Sequence, residues 1–379
     1  MKKTLSFTVF TVIFFIVTVF FWWQQDRIVF VPEILPSPEE NLRKPLAERF
    51  TEVLQKPESS PSPTPSVELP PFPEQTVISG GTHTFQTFNN CGPASLSMAL
   101  SLYGISASQR ELGQELRPYQ NSQGDNDDKS VTLAEVAAEA EEYGFVVYHR
   151  PAGTIEQVKH FIAQDIPVVA RTWLTPEEDI GHFRVLKGYD ESTQEIIQDD
   201  SLQGADLRFS YDYLEEIWQP FNAEFLVLVP PEKQAIAEAI LGDLLDEESA
   251  WEAILARAQA AQSGNPQDVY APFNEAVALY HLGRYDEAKQ AYESVADQLP
   301  SRMLWYQIEP ILVYWKLGEY GQVLSMTEVI LQNGNRAFSE LYSIRGQIFA
   351  AQGNQSAAEE AFQLAEQYNP TGSWRVNVQ

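Results

Sequence analysis

The first hydrophobic pattern along the chain is a continuous one. Between Lys3 and Asp26 there is no charge, and the mostly apolar run from Thr4 to Trp23 is 20 residues long. At 1.5 Å per residue, a helix of that length crosses a hydrocarbon core of about 30 Å. Lys2 and Lys3 precede it, Trp22 and Trp23 fall where an interfacial aromatic belt would lie, and no small residues offer a signal-peptide cleavage site. The pattern predicts an uncleaved transmembrane anchor over 1–25, touching the membrane through residues 4–23. It is a single pass through the plasma membrane, with the N-terminus cytoplasmic and the bulk of the chain extracytoplasmic. From Pro32 to Pro73 stand eleven of the 24 prolines, around the low-complexity piece ESSPSPTPS. Proline blocks helix and ladder hydrogen bonds, so 26–78 reads as a semi-stiff linker.

Beyond the linker the pattern turns periodic. Leu96, Ala99, Leu100 and Tyr103 recur at helical spacing before Gly104, and Pro93 is tolerated only in a first turn, so this helix begins close to Asn90 or Cys91. Ser108 with Glu111, and Thr132 with Glu135, predict capping boxes for two further helices. Thr154 with Gln157 in the reciprocal position predicts a fourth. The runs IPVVAR, HFRVLKGYD, EIIQ and EFLVLV read as strands joined by short turns. Helices first and strands after predict an α+β domain with a mostly antiparallel sheet.

The last third repeats with a period of 35. Gly283, Gly318 and Gly353 obey it, as do Ala253, Ala288, Val323 and Ala358, and then Tyr292, Thr327 and Phe362. LGRYDEAKQAYESVADQLP resembles a tetratricopeptide repeat, which implies an all-α solenoid over 233–373: three full units from about 269 and a degenerate one before them. Such an array offers a concave surface for a peptide or protein partner. Its units are expected to stabilise one another more than they stabilise the α+β domain, which should then fold without them.

Composition narrows the function classes. With 25 Lys plus Arg against 53 Asp plus Glu, the formal charge of −28 argues against nucleic acid as a partner. A single cysteine among 379 residues excludes a disulfide framework and any multi-thiolate metal site. The acidic DNDD run at 125–128 lacks the central glycine and distant glutamate of an EF-hand loop and reads as a solvated turn. No metal or organic cofactor is called for.

That one cysteine, Cys91, sits at a helix N-terminus, where unpaired N–H groups and the macrodipole favour a thiolate. A thiol nucleophile needs a base. Of five histidines, His182 begins a strand after Gly181, and the EIIQ strand ends in Asp199 and Asp200. Cys, His and an acid in this order suit an imidazole base oriented by a third group. QTFNNCGPASLSMALSLYG, DDKSVTLAEV, GHFRVLKGYD and IIQDDSLQG together resemble the bacteriocin-processing (double-glycine) peptidase-like branch of papain-fold cysteine peptidases, over residues 79–232. The resemblance implies a papain-like fold, Cys91 as nucleophile, His182 as base and Gln86 as an oxyanion donor. Its third member is Asp199 or Asp200. The family's usual proline after the acid is replaced here by Ser201, and the choice leans to Asp200. The exporter-linked relatives are fused to a membrane ATPase, and this chain has no phosphate-cradling GxxxxGK[ST] loop.

The expectation is therefore a membrane-anchored cysteine peptidase acting on a peptide or protein substrate, with the repeats binding a protein partner. Two other readings stay open: a non-catalytic peptide-binding scaffold, and a thiol acyl transferase that passes the acyl group to an amine.

Overall fold

The computed structural model describes residues 69–117 and 131–370. The expected anchor, the linker up to residue 68 and the DNDD run lie outside the described residues. Among those described, no helix is long and apolar enough to cross a membrane.

Strand β1 (Gln75–Val77) leads into helix α1 (Cys91–Leu102), α2 (Gln109–Leu116) and α3 (Leu133–Glu141). The two capping boxes form as expected: Ser108 and Thr132 accept from the N–H groups of Glu111 and Glu135, whose carboxylates reach back to the cap N–H groups. Then follow β2 (Val146–Arg150), α4 (Ile155–Ala163), β3 (Val168–Trp173), β4 (Gly181–Asp190), β5 (Glu195–Asp200), β6 (Gly204–Ser210), α5 (Tyr211–Trp218) and β7 (Phe225–Val229). At α4 the cap is only half a box. Thr154 accepts from Gln157 N–H, and its hydroxyl rather than its backbone N–H donates to Gln157 Oε1 at 3.2 Å, while the Gln157 amide donates to the Ile240 carbonyl at 3.3 Å.

The strands make one sheet in the order β2-β7-β3-β4-β5-β6, with β1 added on β4, and every pairing is antiparallel. The strands with strong apolar runs lie inside the sheet. The edge strands β2 and β6 and the short β1 carry mixed residues. β1 falls within the stretch read as linker, because its partner strand is far away in sequence and its three residues carry no periodicity. One sheet face, with Val169, Phe183, Val185, Leu226 and Leu228, packs on α1, α2 and α3. The other, with Val168, Ala170, Leu186, Tyr189, Phe225 and Val227, packs on α4 and α5.

The remaining helices are α6 (Gln234–Leu241), α7 (Glu247–Gly264), α8 (Tyr270–His281), α9 (Tyr285–Glu293), α10 (Met303–Tyr306), α11 (Glu309–Lys316), α12 (Tyr320–Gln332), α13 (Ser339–Ala351) and α14 (Gln355–Tyr368). The pairs α8/α9, α11/α12 and α13/α14 follow the 35-residue period. Gly283, Gly318 and Gly353 turn each pair at φ of 73°, 74° and 77°, where a side chain would be strained. Ala288, Val323 and Ala358 are fully buried between helices. Gly346 lets the Phe362 ring lie on α13, since a Cβ there would meet it at 2.6 Å.

The middle pair departs from its neighbours. Its first helix is split into α10 and α11 around Gln307, whose backbone is extended. Pro310 explains the break: it has no N–H for the Tyr306 carbonyl four residues back, and its ring would clash with it. The freed carbonyl accepts from Arg171 of β3 at 2.6 Å. Gln307 donates to the Pro220 carbonyl at 2.9 Å and accepts from Asn222 at 2.8 Å. Trp173 donates to Tyr270 at 3.1 Å, and Asn274 donates to the Gln219 carbonyl at 2.7 Å.

One hydrophobic cluster accordingly runs from the second sheet face through Trp218 and Phe221 to Phe273, Val277 and Ile311. The described residues belong to a single compact unit. This packing differs from a repeat array that only buttresses itself. The repeats' apolar faces are shared with the sheet, so each part lacks some of its core without the other. Phe273→Ala in the full chain should cost about 3–5 kcal/mol. Tryptophan fluorescence and far-ultraviolet circular dichroism should report the same single denaturant transition. Two separated transitions would show that the repeats unfold independently.

Candidate active site

Cys91 is the first residue of α1 and is 7% exposed. Asn89 takes the left-handed conformation just before it, at φ 52°. The Asn90 side chain is drawn away from the helix end: its amide donates to the Gln109 carbonyl at 3.1 Å, and its oxygen accepts from Arg117 at 3.1 Å. No side chain therefore caps α1, and its first N–H groups remain for whatever lies beside the thiol. Gly92 packs closely, and a Cβ there would sit 3.3 Å from Val131 and 3.5 Å from Phe183. Ser95 donates to the Phe183 carbonyl at 3.3 Å and binds α1 to β4.

His182, opposite Thr172 in the β3–β4 ladder, is 2% exposed. Its Nε2 lies 3.0 Å from Asp200 Oδ1. An ionised carboxylate only accepts, so Nε2 carries the proton and Nδ1 is the nitrogen left for the Cys91 side chain, which interacts with the ring. Burial works to lower the His182 pKa. The hydrogen bonds and charges of Asp200 and Cys91 outweigh it and hold the pKa above its ordinary value.

Asp200 is fully buried and both of its carboxylate oxygens are engaged. Oδ1 takes the N–H groups of Leu202 at 2.7 Å and Gln203 at 2.8 Å besides His182, and Oδ2 pairs with Arg184. Arg184 is itself fixed by Thr172 at 3.0 Å, the Leu174 carbonyl at 2.6 Å and the Phe209 ring. Desolvation pushes the Asp200 pKa up, but His182, Arg184 and the backbone donor bring it down to about 2. His83 adds a hydrogen bond at 2.8 Å to the Asp200 carbonyl.

Of the residues singled out in the sequence, Cys91, His182 and Asp200 come together. Asp199 does not. It stands opposite Val185 in the ladder while Asp200 stands opposite Arg184, so the two acids point to opposite faces, and Asp199 binds Lys187 at 2.7 Å. Gln86 lies beside the end of β5: its N–H donates to the Ser201 carbonyl at 2.8 Å, and its side-chain oxygen accepts from Ser201 at 2.7 Å. The side-chain oxygen being engaged, its amide N–H₂ is the end left to donate. Ser201 thus holds the Gln86 side chain beside the end of β5.

Sequence reasoning missed two residues. Arg184 had a signal, a cation two residues after His182 on the same face of an apolar strand. Tyr306 had only Pro310, four residues later. Its ring packs on Gly181, where a Cβ would meet it at 2.8 Å, and on Trp173 at 5.6 Å between centroids. Burial raises the Tyr306 hydroxyl's pKa, a backbone hydrogen bond from Gly181 opposes this, and the nearby Cys91 charge adds to it.

Residues 73–224 match the model of the Peptidase_C39 like family. Three solved structures are similar. A C39-like peptidase from Bacillus anthracis is 18% identical with a TM-score of 0.36, covering 42% of this chain and 98% of that one. The peptidase domain of Streptococcus ComA, a bifunctional ABC transporter of a quorum-sensing pathway, is 16% identical with a TM-score of 0.32, covering 40% and 100%. A double-glycine-motif protease from an AMS/PCAT transporter, in complex with its leader peptide, is 18% identical with a TM-score of 0.29, covering 40% and 91%. No curated protein matches the sequence.

Two titrations of stability follow. A folded pKa of about 2 for Asp200, against an ordinary 3.8, contributes stability that is present above the ordinary value and lost as pH falls toward 2. The raised His182 pKa contributes stability that is complete below its ordinary 6.5 and lost as pH rises through the higher folded value. Asp200→Asn strands the buried guanidinium of Arg184 and should cost about 3–5 kcal/mol. It should flatten the acid limb of a thermal-midpoint profile and bring the His182 pKa down in an NMR titration. Asp199→Asn should leave both the His182 titration and the Cys91 alkylation rate unchanged. The reverse pattern would assign the orienting role to Asp199.

Proposed function

We propose, from the premise that residues 73–224 are a double-glycine-peptidase-like (C39-like) domain, that the chain hydrolyses peptide bonds with Cys91, His182 and Asp200. What carries this reading is the His182–Asp200 hydrogen bond, in which a buried acid of lowered pKa orients an imidazole that interacts with the chain's one thiol. His182 Nδ1 takes the thiol proton, and Sγ attacks the substrate carbonyl carbon. The oxyanion is met by the Cys91 backbone N–H, which has no acceptor within the helix, and by the Gln86 amide. The imidazolium then protonates the leaving amine as the C–N bond breaks. Water, deprotonated by the same imidazole, adds to the thioester and returns the thiolate. Asp200 stays ionised throughout, because Arg184 and two backbone N–H groups stabilise its charge.

The same proposal keeps the helical region as a tetratricopeptide array that holds peptide substrates or a protein partner. It keeps residues 4–23 as a plasma-membrane anchor with the folded part extracytoplasmic.

Cys91→Ala and His182→Ala should abolish peptide hydrolysis with unchanged circular dichroism, and Gln86→Ala should lower kcat by about 10²–10³. Comparable turnover in Cys91→Ala would end this mechanism. A product carrying an added amine in place of water would make the chain an acyl transferase. For topology, the mature protein should retain its N-terminal segment, and sequencing that begins beyond Trp23 would remove the anchor.

A further inference from the structure

We propose that Tyr306, a residue of the helical region, positions the imidazole of His182 by holding the start of strand β4 in place. The catalytic consequence rests on the peptidase reading, while the packing stands by itself.

The argument begins in the ladder. His182 stands opposite Thr172, and the rung before it, the last of the β3–β4 ladder, pairs Gly181 with Trp173. Beyond that rung the strands share one more hydrogen bond, from Leu174 N–H to the Ile180 carbonyl at 2.8 Å. Glycine is the residue with the freest backbone, and here it carries the base as its next residue. It also leaves its place on the pleated surface empty. The Tyr306 ring fills that place. A Cβ on Gly181 would meet the ring at 2.8–3.0 Å, and the three atoms nearest to that position all belong to Tyr306. The ring stands edge-on to Trp173 at 5.6 Å between centroids, so it touches both members of the terminal rung. Its hydroxyl accepts from the Gly181 N–H, and the Cys91 charge acts on that same hydroxyl.

Tyr306 is in turn anchored on the sheet domain. Its carbonyl accepts from Arg171 at 2.6 Å, and Arg171 is paired with Glu224 at 3.2 Å. The next residue, Gln307, is buried and bonded to the Pro220 carbonyl and to Asn222. The same short stretch, 301–307, also holds the chain ahead of Gly181. Asp179 accepts from the Ser301 hydroxyl at 2.8 Å and from Arg302 N–H at 3.2 Å, and it pairs with the Arg302 guanidinium at 3.4 Å. Asp200 fixes the far end of the imidazole, through Nε2 at 3.0 Å. Tyr306 fixes the backbone from which that side chain starts. A displacement of about 1 Å at a reacting group can cost about 10² in rate, so this hold bears on turnover.

The test compares Tyr306→Ala with Tyr306→Phe in the full chain. Tyr306→Ala should lower kcat by about a hundredfold while KM stays within about threefold. Tyr306→Phe keeps the ring and loses only the acceptor for Gly181 N–H, so it should restore most of that loss and stay within about two- to tenfold of the wild-type chain. Two readouts need no substrate. In Tyr306→Ala the NMR titration of His182 should move down toward its ordinary value, because the displaced imidazole loses the Asp200 and Cys91 contacts that hold it up. The Cys91 alkylation rate at neutral pH should fall with it. Gly181→Ala probes the contact itself: its methyl collides with the Tyr306 ring and should reproduce the Tyr306→Ala effects, yet should add little in the Tyr306→Ala background, where it has room. If Tyr306→Ala fails to fold, Gly181→Ala and Tyr306→Phe carry the same readouts. A lower thermal midpoint with wild-type kcat and an unmoved His182 titration would make Tyr306 a packing residue alone and overturns the proposal, as would strictly additive effects of the two substitutions. A shifted His182 titration in a chain whose wild-type form hydrolyses no peptide upholds the positioning role and removes the peptidase.

Discussion

The carboxylate of Asp200 is the fixed point of this site. A buried anion is unstable unless its acceptor positions are filled. Here they are filled from three directions: the His182 imidazole, the Arg184 guanidinium and the N–H groups of the turn that follows β5. Each donor is positioned by a different part of the fold. β4 supplies His182 and Arg184 two residues apart on one face, β5 supplies the acid opposite Arg184, and the tight Leu202–Gln203 turn supplies the backbone. The imidazole has one tautomer because the anion dictates it. Cys91 can then meet only Nδ1.

The helical region is part of this arrangement rather than an appendage to it. A repeat array ordinarily couples only neighbouring units. Here the break at Pro310 frees the Tyr306 carbonyl for Arg171 and turns Gln307 into the peptidase-like domain. Tyr306 then rests on Gly181, so the wall beside the histidine is built by the tail. One cavity is lined from both sides, by Arg171 and Phe221 from the sheet domain and by Trp305 and Tyr306 from the helical region.

Much of the fold and of the candidate site is legible in the sequence, because it is written in local signals. The helix from Cys91, the capping boxes at Ser108 and Thr132, the apolar inner strands and the 35-residue period each rest on residues within a few positions of one another. The NCGPA and GHFRVLKGYD segments pointed to Cys91 and His182 through their resemblance to a peptidase family. The edge strands β2 and β6 and the short β1 escaped, since half-exposed residues carry no clear alternation and their partners lie far along the chain. Asp199 and Asp200 could not be told apart by spacing. Their roles follow from ladder register, a property of two strands at once. Arg184, the Tyr306 contact and the paired orientation of Asn222 and Gln307 were decided only by tertiary structure. Buried polar groups take whichever partners the packed chain brings to them, and local sequence does not determine which those are.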